Sequence, residues 1–386
     1  AVARGSNHLR FEIASGNLRL TTSAPLTYVQ AETCFSLQAP VSFFFGPDET
    51  LSGGIEETAR DFEEQTLLYW RHWTRRLALP LQWQDAVIRS AITLKLCQFE
   101  ETGAIVAAMT TSIPEAPHSQ RNWDYRYCWL RDATFTILSL LNAGYRTEAE
   151  AWADWLLRAI AGAGSQIQPL YGVAGERLIQ EYEVEWLPGF KDSRPVRIGN
   201  AAYHQLQLDI FGWAMDALDC ARSYGLNLAE GGWDMQQELL RNLEDLWQQP
   251  DEGIWEVRSE PQHFVHSKVM CWVAFDRGVA AIEKYGLDGP LERWRVVRDT
   301  IHREVCERGY DESVGAFVQA YGAPHLDAAN LLIPLVGFLP PDDPRVVSNT
   351  EAIERELMRD GFVLRYDTDR SDDGLPPGEG AFLACT

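Results

Sequence analysis

Two glutamates stand in settings where a carboxyl could move protons. Glu256 lies in DEGIWEVRSE, a turn-rich segment before a helical pattern, with Trp255 at its side. Glu379 lies in SDDGLPPGEGAF, between Gly378 and Gly380. Glycines on both sides let backbone approach a ligand closely, and a Trp neighbour desolvates a carboxyl and raises its pKa, which suits a general acid. Cleaving an acetal needs this division of labour: one carboxyl protonates the leaving oxygen and the other serves water or the anomeric carbon. Singly, a glutamate in a loop reads first as a solvated surface charge, and only the pair within a wider constellation points to chemistry.

The stretch Arg121 to Asn142, RNWDYRYCWLRDATFTILSLLN, supplies a second set of groups. Trp123, Tyr125, Tyr127 and Trp129 crowd a loop, Arg131 stands beside Asp132, and an apolar helical pattern follows. A charged pair at the mouth of a helix, ringed by aromatics, can bond the hydroxyls of a sugar and cover its apolar face. The alternative is a helix cap with a buried salt bridge. Asn200 closes RPVRIGN after Arg194 and Arg197, at the N-cap of the next helical pattern, and reads as a ligand group or simply as that cap. His266 and Lys268, in FVHSKVMCW, sit at a loop-to-helix junction after Glu256. His263 and His266 are three apart, but further ligands at metal-site spacing are lacking, so no metal and no cofactor is expected. There is no P-loop, no GxGxxG after a strand, no GxSxG and no HExxH, which leaves nucleotide, serine-hydrolase and zinc-protease chemistry without support.

The elements that must position these groups are mostly helical. Helical patterns run over Trp83–Gln98, Trp129–Ala143, Thr147–Gly162 (with Thr147 and Glu150 as a capping box), Ala201–Tyr224, Gly232–Gln249, Ser267–Tyr285, Leu291–Arg308, Leu326–Phe338 and Thr350–Asp360. Helices in series without interleaved strands exclude a doubly wound α/β sheet. Long aromatic and charged connections, 101–126, 165–200, 250–266 and 361–378, alternate with short ones, as a helical ring gathering its loops around one pocket would require. Before the helices, LRFEIA, LRLTT and VSFFF read as strands, and Ile55 to Leu79 reads as one helix with acids at its start, arginines at its end and Pro80 as its stop.

Bulk properties narrow the partners. With 34 basic against 56 acidic side chains the net charge is −22, so nucleic acid and anionic membrane surfaces are disfavoured, while a neutral sugar is indifferent to that field. No apolar run approaches the ~20 residues that cross a bilayer. The seven cysteines are scattered, odd in number and never CxxC, which points to a reduced, cytoplasmic setting. The fourteen Trp, several in loops, are plausible sugar-stacking surfaces.

Taken together, YRYCWLRD, SRPVRIGN, GIWEV, HFVHSKVMCWVAFDR and DDGLPPGEGAF, in this order, resemble glycoside hydrolase family 15, whose members include glucoamylases, glucodextranase-like enzymes and some trehalases. The resemblance, closest to the bacterial intracellular branch, implies a mainly α chain: an (α/α)6 barrel over 80–386, incomplete at its C-terminal end. It also implies the last part of a β-sandwich over 1–54 and a linker helix over 55–79. By position, Glu256 matches the family's general acid and Glu379 its general base. Tyr125, Trp129, Arg131 and Asp132 match the terminal-glucose subsite, and Trp255, Arg197 and Asn200 match its lining, with His266 and Lys268 as further candidates. The implied activity is inverting, exo-acting release of glucose from α-glucosides of the glucoamylase type, with a trehalase as alternative and a non-catalytic sugar-binding homologue as the alternative of another class. The carboxyls should then stand ~6.5–9.5 Å apart. Two positions depart from the fungal pattern: Val257 stands where a second glutamate would be, and Asp192 where a pocket Trp would be. Both weaken a preference for long α-1,4 chains.

Overall fold

The computed structural model describes residues 2–3, 5–111, 113–161, 167–226 and 231–376, and it divides into two compact units, 1–77 and 78–386. In the first, β1 (Val2–Ala3), β2 (His8–Ile13), β3 (Gly16–Thr22) and β4 (Phe43–Pro47) form an antiparallel sheet in sequential order. The β2–β3 register pairs Leu9 with Leu20 and closes at Ile13 opposite Gly16, whose φ of 139° makes the turn. A short helix, α1 (Leu26–Gln30), and a long one, α2 (Ile55–Thr74), complete the unit. The long helix ends five residues before the expected Leu79. Glu56 and Glu57 in its first turn and Arg71 and His72 in its last complement the helix dipole.

The second unit is a two-layered helical array comprising α3 (Gln84–Leu96), α4 (Leu130–Asn142), α5 (Arg146–Ile160), α6 (Asp209–Ser223), α7 (Gly232–Leu246), α8 (Val265–Tyr285), α9 (Leu291–Arg308), α10 (Leu332–Leu335) and α11 (Pro344–Leu357). Burial separates the layers. Every residue of α8 from Val265 to Phe275 is buried, and α6 buries residues all round its axis. By contrast α9 buries only Trp294, Ile301 and Val305, and α7 buries Gln236, Leu239, Leu240 and Leu243 on one stripe. Helices buried on all faces form an inner layer, and amphipathic ones cover it. The inner helices α4, α6 and α8 pack side by side, and α5, α7 and α9 lie outside them, the alternation of an (α/α)6 barrel. Gly212 marks the closest approach of α6 and α8, since a Cβ there would stand 2.4 Å from the Met270 carbonyl oxygen.

Four helical expectations shift. The pattern over 201–224 divides into a 3-10 turn, Ala201–His204, and α6, because Asn200 caps only the turn and Gln205 returns to extended backbone. Thr147 and Glu150 form no capping box, because α5 starts at Arg146 with Tyr145 as an N-cap that makes no side-chain bond. Residues 326–338 hold a 3-10 turn, Ala328–Leu331, and the single-turn α10 rather than one helix. The helix expected to begin at Thr350 begins at Pro344, with the Asp343 carboxylate accepting from the Arg345 amide. Proline at the first helical position is a start, not a stop.

Candidate active site

Trp129 and the first turn of α4 make the framework. Cys128 and Trp129 pair with Tyr171 and Leu170 in a two-residue antiparallel ladder, and the Leu130 amide donates to the Pro169 carbonyl at 3.1 Å. This fixes the end of the aromatic loop and points Arg131 and Asp132 out of the helix start. Arg131 bonds Asp132 through Nε at 3.0 Å and through Nη2 at 3.0 Å, and donates through Nη1 to the Ile254 carbonyl at 2.6 Å. That last bond joins α4 to the turn carrying Glu256.

The turn over 252–257 is tied down at both ends. The Glu252 amide donates to the Leu206 carbonyl at 3.0 Å, the Val257 amide to the Glu252 carbonyl at 3.2 Å, and the Glu256 amide to the Gly253 carbonyl at 3.1 Å. Glu256 itself takes a left-handed backbone, φ 58°. Its Oε1 accepts from the Trp129 indole N–H at 2.6 Å and lies 3.9 Å from Arg131 Nη1. Gln207, buried and donating to the Gln205 side chain at 2.9 Å, also favours the ionised carboxyl. Burial pushes the Glu256 carboxyl above the ordinary glutamate value, against the pull of Arg131, of the Trp129 bond and of Gln207, while Asp132 reinforces the rise. Burial opposes the charge on Arg131, yet Asp132, Glu256 and Asp209 outweigh it and hold the guanidinium above its usual pKa.

Around this centre Tyr125 stacks at a tilt on Trp129, ring centroids 6.0 Å apart. His266 is buried, its ring 5.9 Å from that of Trp213. Burial, and next the charge of Arg131, push it down to about 3, so the imidazole is neutral. Trp255 is held from behind, its indole N–H shared between the Asp327 carboxylate oxygens at 2.8 and 3.0 Å, with the Arg365 guanidinium 5.2 Å over its ring. Burial raises Asp327 to about 6.

Other expected site residues are spent elsewhere. Arg197 donates to the carbonyls of Gln120 at 2.9 Å and Asn122 at 3.3 Å, pairs with Glu181 at 3.5 Å, and covers the Trp123 ring at 4.8 Å. It braces the aromatic loop. Asn200 is a cap, its side chain accepting from the Ala202 amide at 2.9 Å. Lys268 departs furthest from expectation: its buried ammonium donates to the Trp247 and Gln249 carbonyls, each at 2.6 Å, and so closes the end of α7. Val257 is buried beside Phe264 and Ala320, and Asp192 is exposed. Glu379 lies outside the described residues. Among the described residues no cluster of three His, Cys, Asp or Glu side chains is placed to hold a metal, and His263 instead stacks on Tyr321 at 6.0 Å.

The described site thus offers a protonatable carboxyl braced by an indole and a cation, an Arg–Asp pair within reach of hydroxyls, and aromatic walls. Such a set suits proton donation to the oxygen of a bound sugar. The glycosyl hydrolases family 15 model matches residues 82–386. The chain belongs to that family. Among curated relatives it is 43% identical over 335 residues to the trehalase of Mycobacterium tuberculosis, covering 86% of this chain and 49% of that protein. It is 38% identical over 324 residues to the trehalase of Thermoplasma volcanium, covering 84% and 51%. The chain therefore spans about half the length of the curated relatives it matches. A solved glycosidase shares the fold with a TM-score of 0.56 at 19% identity, covering 76% of this chain and 74% of the other.

Gln207, Asp209, Asp327 and Arg365 went unnoticed in the sequence. Asp327 alone carries a usable signal, a carboxylate in the first turn of the helical pattern over Leu326–Phe338; the others sit in stretches with nothing to separate them from ordinary polar residues.

Proposed function

We propose that this chain supplies the catalytic barrel of an inverting trehalase, cleaving α,α-trehalose to two glucose molecules. The observation that carries the chemistry is the Glu256 carboxyl, raised by burial and bonded by Trp129 at 2.6 Å beside the Arg131–Asp132 pair. The choice of substrate rests on similarity to proteins named trehalase, which reverses the order expected from sequence, where a glucoamylase-type activity came first. A disaccharide also suits a chain without the glutamate and tryptophan that extend the fungal pocket. In this reading Glu256 protonates the bridging oxygen, Arg131 and Asp132 bond the outer hydroxyls of one glucose, and Glu379 takes a proton from the attacking water. Glu379 follows Pro376 by three residues in the sequence.

Inversion has a stereochemical signature for this substrate. Water attacking one α-anomeric carbon from the opposite face yields one β-glucose, while the leaving glucose keeps its α configuration. Proton NMR of fresh hydrolysate from the full-length protein should show the two anomers in equal amount before mutarotation. Glu256→Gln should lower kcat by at least about 10³-fold, the order expected for removing a general acid. Faster glucose release from maltose, isomaltose or starch than from trehalose overturns the substrate assignment, and two α-anomers overturn inversion. A wild-type protein that binds glucose without turning over any of the four would be a sugar-binding homologue.

A further inference from the structure

Arg121 and Asp373 form a buried ion pair that the chemistry above does not use. Their side chains are 3% and 4% exposed, and Arg121 Nη2 meets Asp373 Oδ2 at 2.7 Å. Arg121 Nε donates to the Pro376 carbonyl at 2.9 Å, so one guanidinium holds two points of the same segment. Asp373 is held from its own side as well, Oδ2 accepting from the Tyr366 hydroxyl at 2.6 Å and Oδ1 from the Leu375 amide at 2.9 Å.

The same segment is stitched to the strand of chain leaving Glu256. The Arg258 amide donates to the Asp373 carbonyl at 2.8 Å, and the Ser259 hydroxyl to the Asp372 carbonyl at 2.9 Å. At Gly374 the two backbones are so close that a Cβ would stand 2.6 Å from the Arg258 carbonyl carbon. Arg121 stands four residues before Tyr125 and eight before Trp129. Three segments therefore meet at one ion pair: the aromatic loop, the chain two residues past Glu256, and the chain that leads to Glu379. Replacing such a pair by apolar groups is often neutral for stability, but a guanidinium donating to both the Asp373 carboxylate and the Pro376 carbonyl fixes geometry in a way apolar packing does not.

We propose that Arg121 and Asp373 are positioning residues that hold the segment ending at Pro376, three residues before Glu379 in the sequence, against the chain leaving Glu256, and that the base depends on this anchorage. This rests on the reading of Glu379 as the base. Neither residue touches substrate; each acts through the segment it anchors. A misplacement of about 1 Å at a reacting centre costs on the order of 10²-fold.

The test uses Asp373→Asn in the full-length protein, with Glu379→Gln as reference and trehalose as substrate. Asp373→Asn should lose about 10²-fold in kcat with KM within about threefold. Azide distinguishes the cause. It is already an anion and needs no base: its nitrogen bonds the anomeric carbon as the carbon–oxygen bond breaks, the leaving oxygen takes the Glu256 proton, and Glu256 is reprotonated from solvent. The products are β-glucosyl azide and glucose. Azide-restored turnover in both variants supports the clamp. Wild-type kcat in Asp373→Asn, with Glu379→Gln inactive and azide-restored, overturns the clamp and leaves the base assignment standing. Wild-type kcat in Glu379→Gln removes the base assignment and the clamp with it. A loss in Asp373→Asn that azide does not restore, while it restores Glu379→Gln, marks general damage and overturns the clamp. Should Asp373→Asn not fold, Tyr366→Phe removes one bond to the same carboxylate: an azide-reversible fall in kcat supports the proposal, and an unchanged kcat overturns it.

Discussion

Glu256 sits at φ 58°, a left-handed backbone that costs a residue with a Cβ roughly 1–2 kcal/mol. The turn holds it there through its amide bond to Gly253 and through the bond from Arg131 to Ile254. Glu32, Asp192 and Asp360 also take positive φ, so it is the anchoring of the Glu256 turn to α4, and not the angle alone, that ties this strain to the site. Its electrostatics give a prediction with a sign. Trp129 donates to the ionised carboxyl and so favours the charged form. Trp129→Phe removes that donor and raises the Glu256 pKa. A general acid works protonated, so activity falls as pH rises through that pKa, and the variant's alkaline limb of kcat/KM should move to higher pH while its maximum drops. Rate profiles of both proteins on trehalose check this; an alkaline limb that stays put or moves down means that Trp129 does not control the proton on Glu256. At this scale the sequence was most readable where charge met aromatics, at Trp129, Arg131 and Asp132. It was least readable at Asn200 and Lys268, because a residue type does not show whether its polar atoms are spent on backbone.

Helices were legible as a series and less so at their edges, and the edges reach the site. Apolar periodicity marked α4, α6, α7, α8 and α9 because each buries a coherent face. The misjudged starts at Tyr145 and Pro344 share a cause: capping chemistry is decided by backbone angles that flanking residues set together. Lys268 shows the same point inside the array. It reaches from α8 to the chain-end carbonyls after α7, doing from a neighbouring helix what a C-terminal cap does locally. Burial lowers its pKa, so the charge is held at a cost and the two carbonyls offset it. Lys268→Met should therefore destabilise the protein by about 2–4 kcal/mol, each bond to a charged group contributing roughly 1.5–3 kcal/mol less the relief of a buried charge. KM for trehalose should remain within about twofold, since the ammonium contacts carbonyls rather than ligand. Urea unfolding with initial-rate kinetics separates the outcomes: unchanged stability with a large rise in KM would return Lys268 to the substrate-binding set.

Across the whole molecule, the order of patterns made a helical series legible and excluded a doubly wound sheet, while the (α/α)6 barrel was implied by the family resemblance; the inner and outer layers follow from which helices are buried all round. Convergence was not accessible: nothing in the spacing of Arg121, Arg258 and Asp373 announces that they meet. No described helix is long and apolar enough to cross a membrane. The charge of −22 bears on the substrate rather than on the fold. A neutral disaccharide feels no net attraction or repulsion, and the Arg131–Asp132 pair that would bind it is locally balanced. Raising ionic strength from about 0.02 to about 0.5 M shortens the Debye length severalfold, and kcat/KM for trehalose should change by less than about twofold across that range. A phosphorylated sugar would behave oppositely, excluded at low salt by the protein's own field and admitted more readily as the field is screened. Initial rates on both substrates over the salt series decide the matter. A steep fall in trehalose turnover with salt would mean that long-range attraction assists binding, which a neutral substrate on so acidic a protein does not permit.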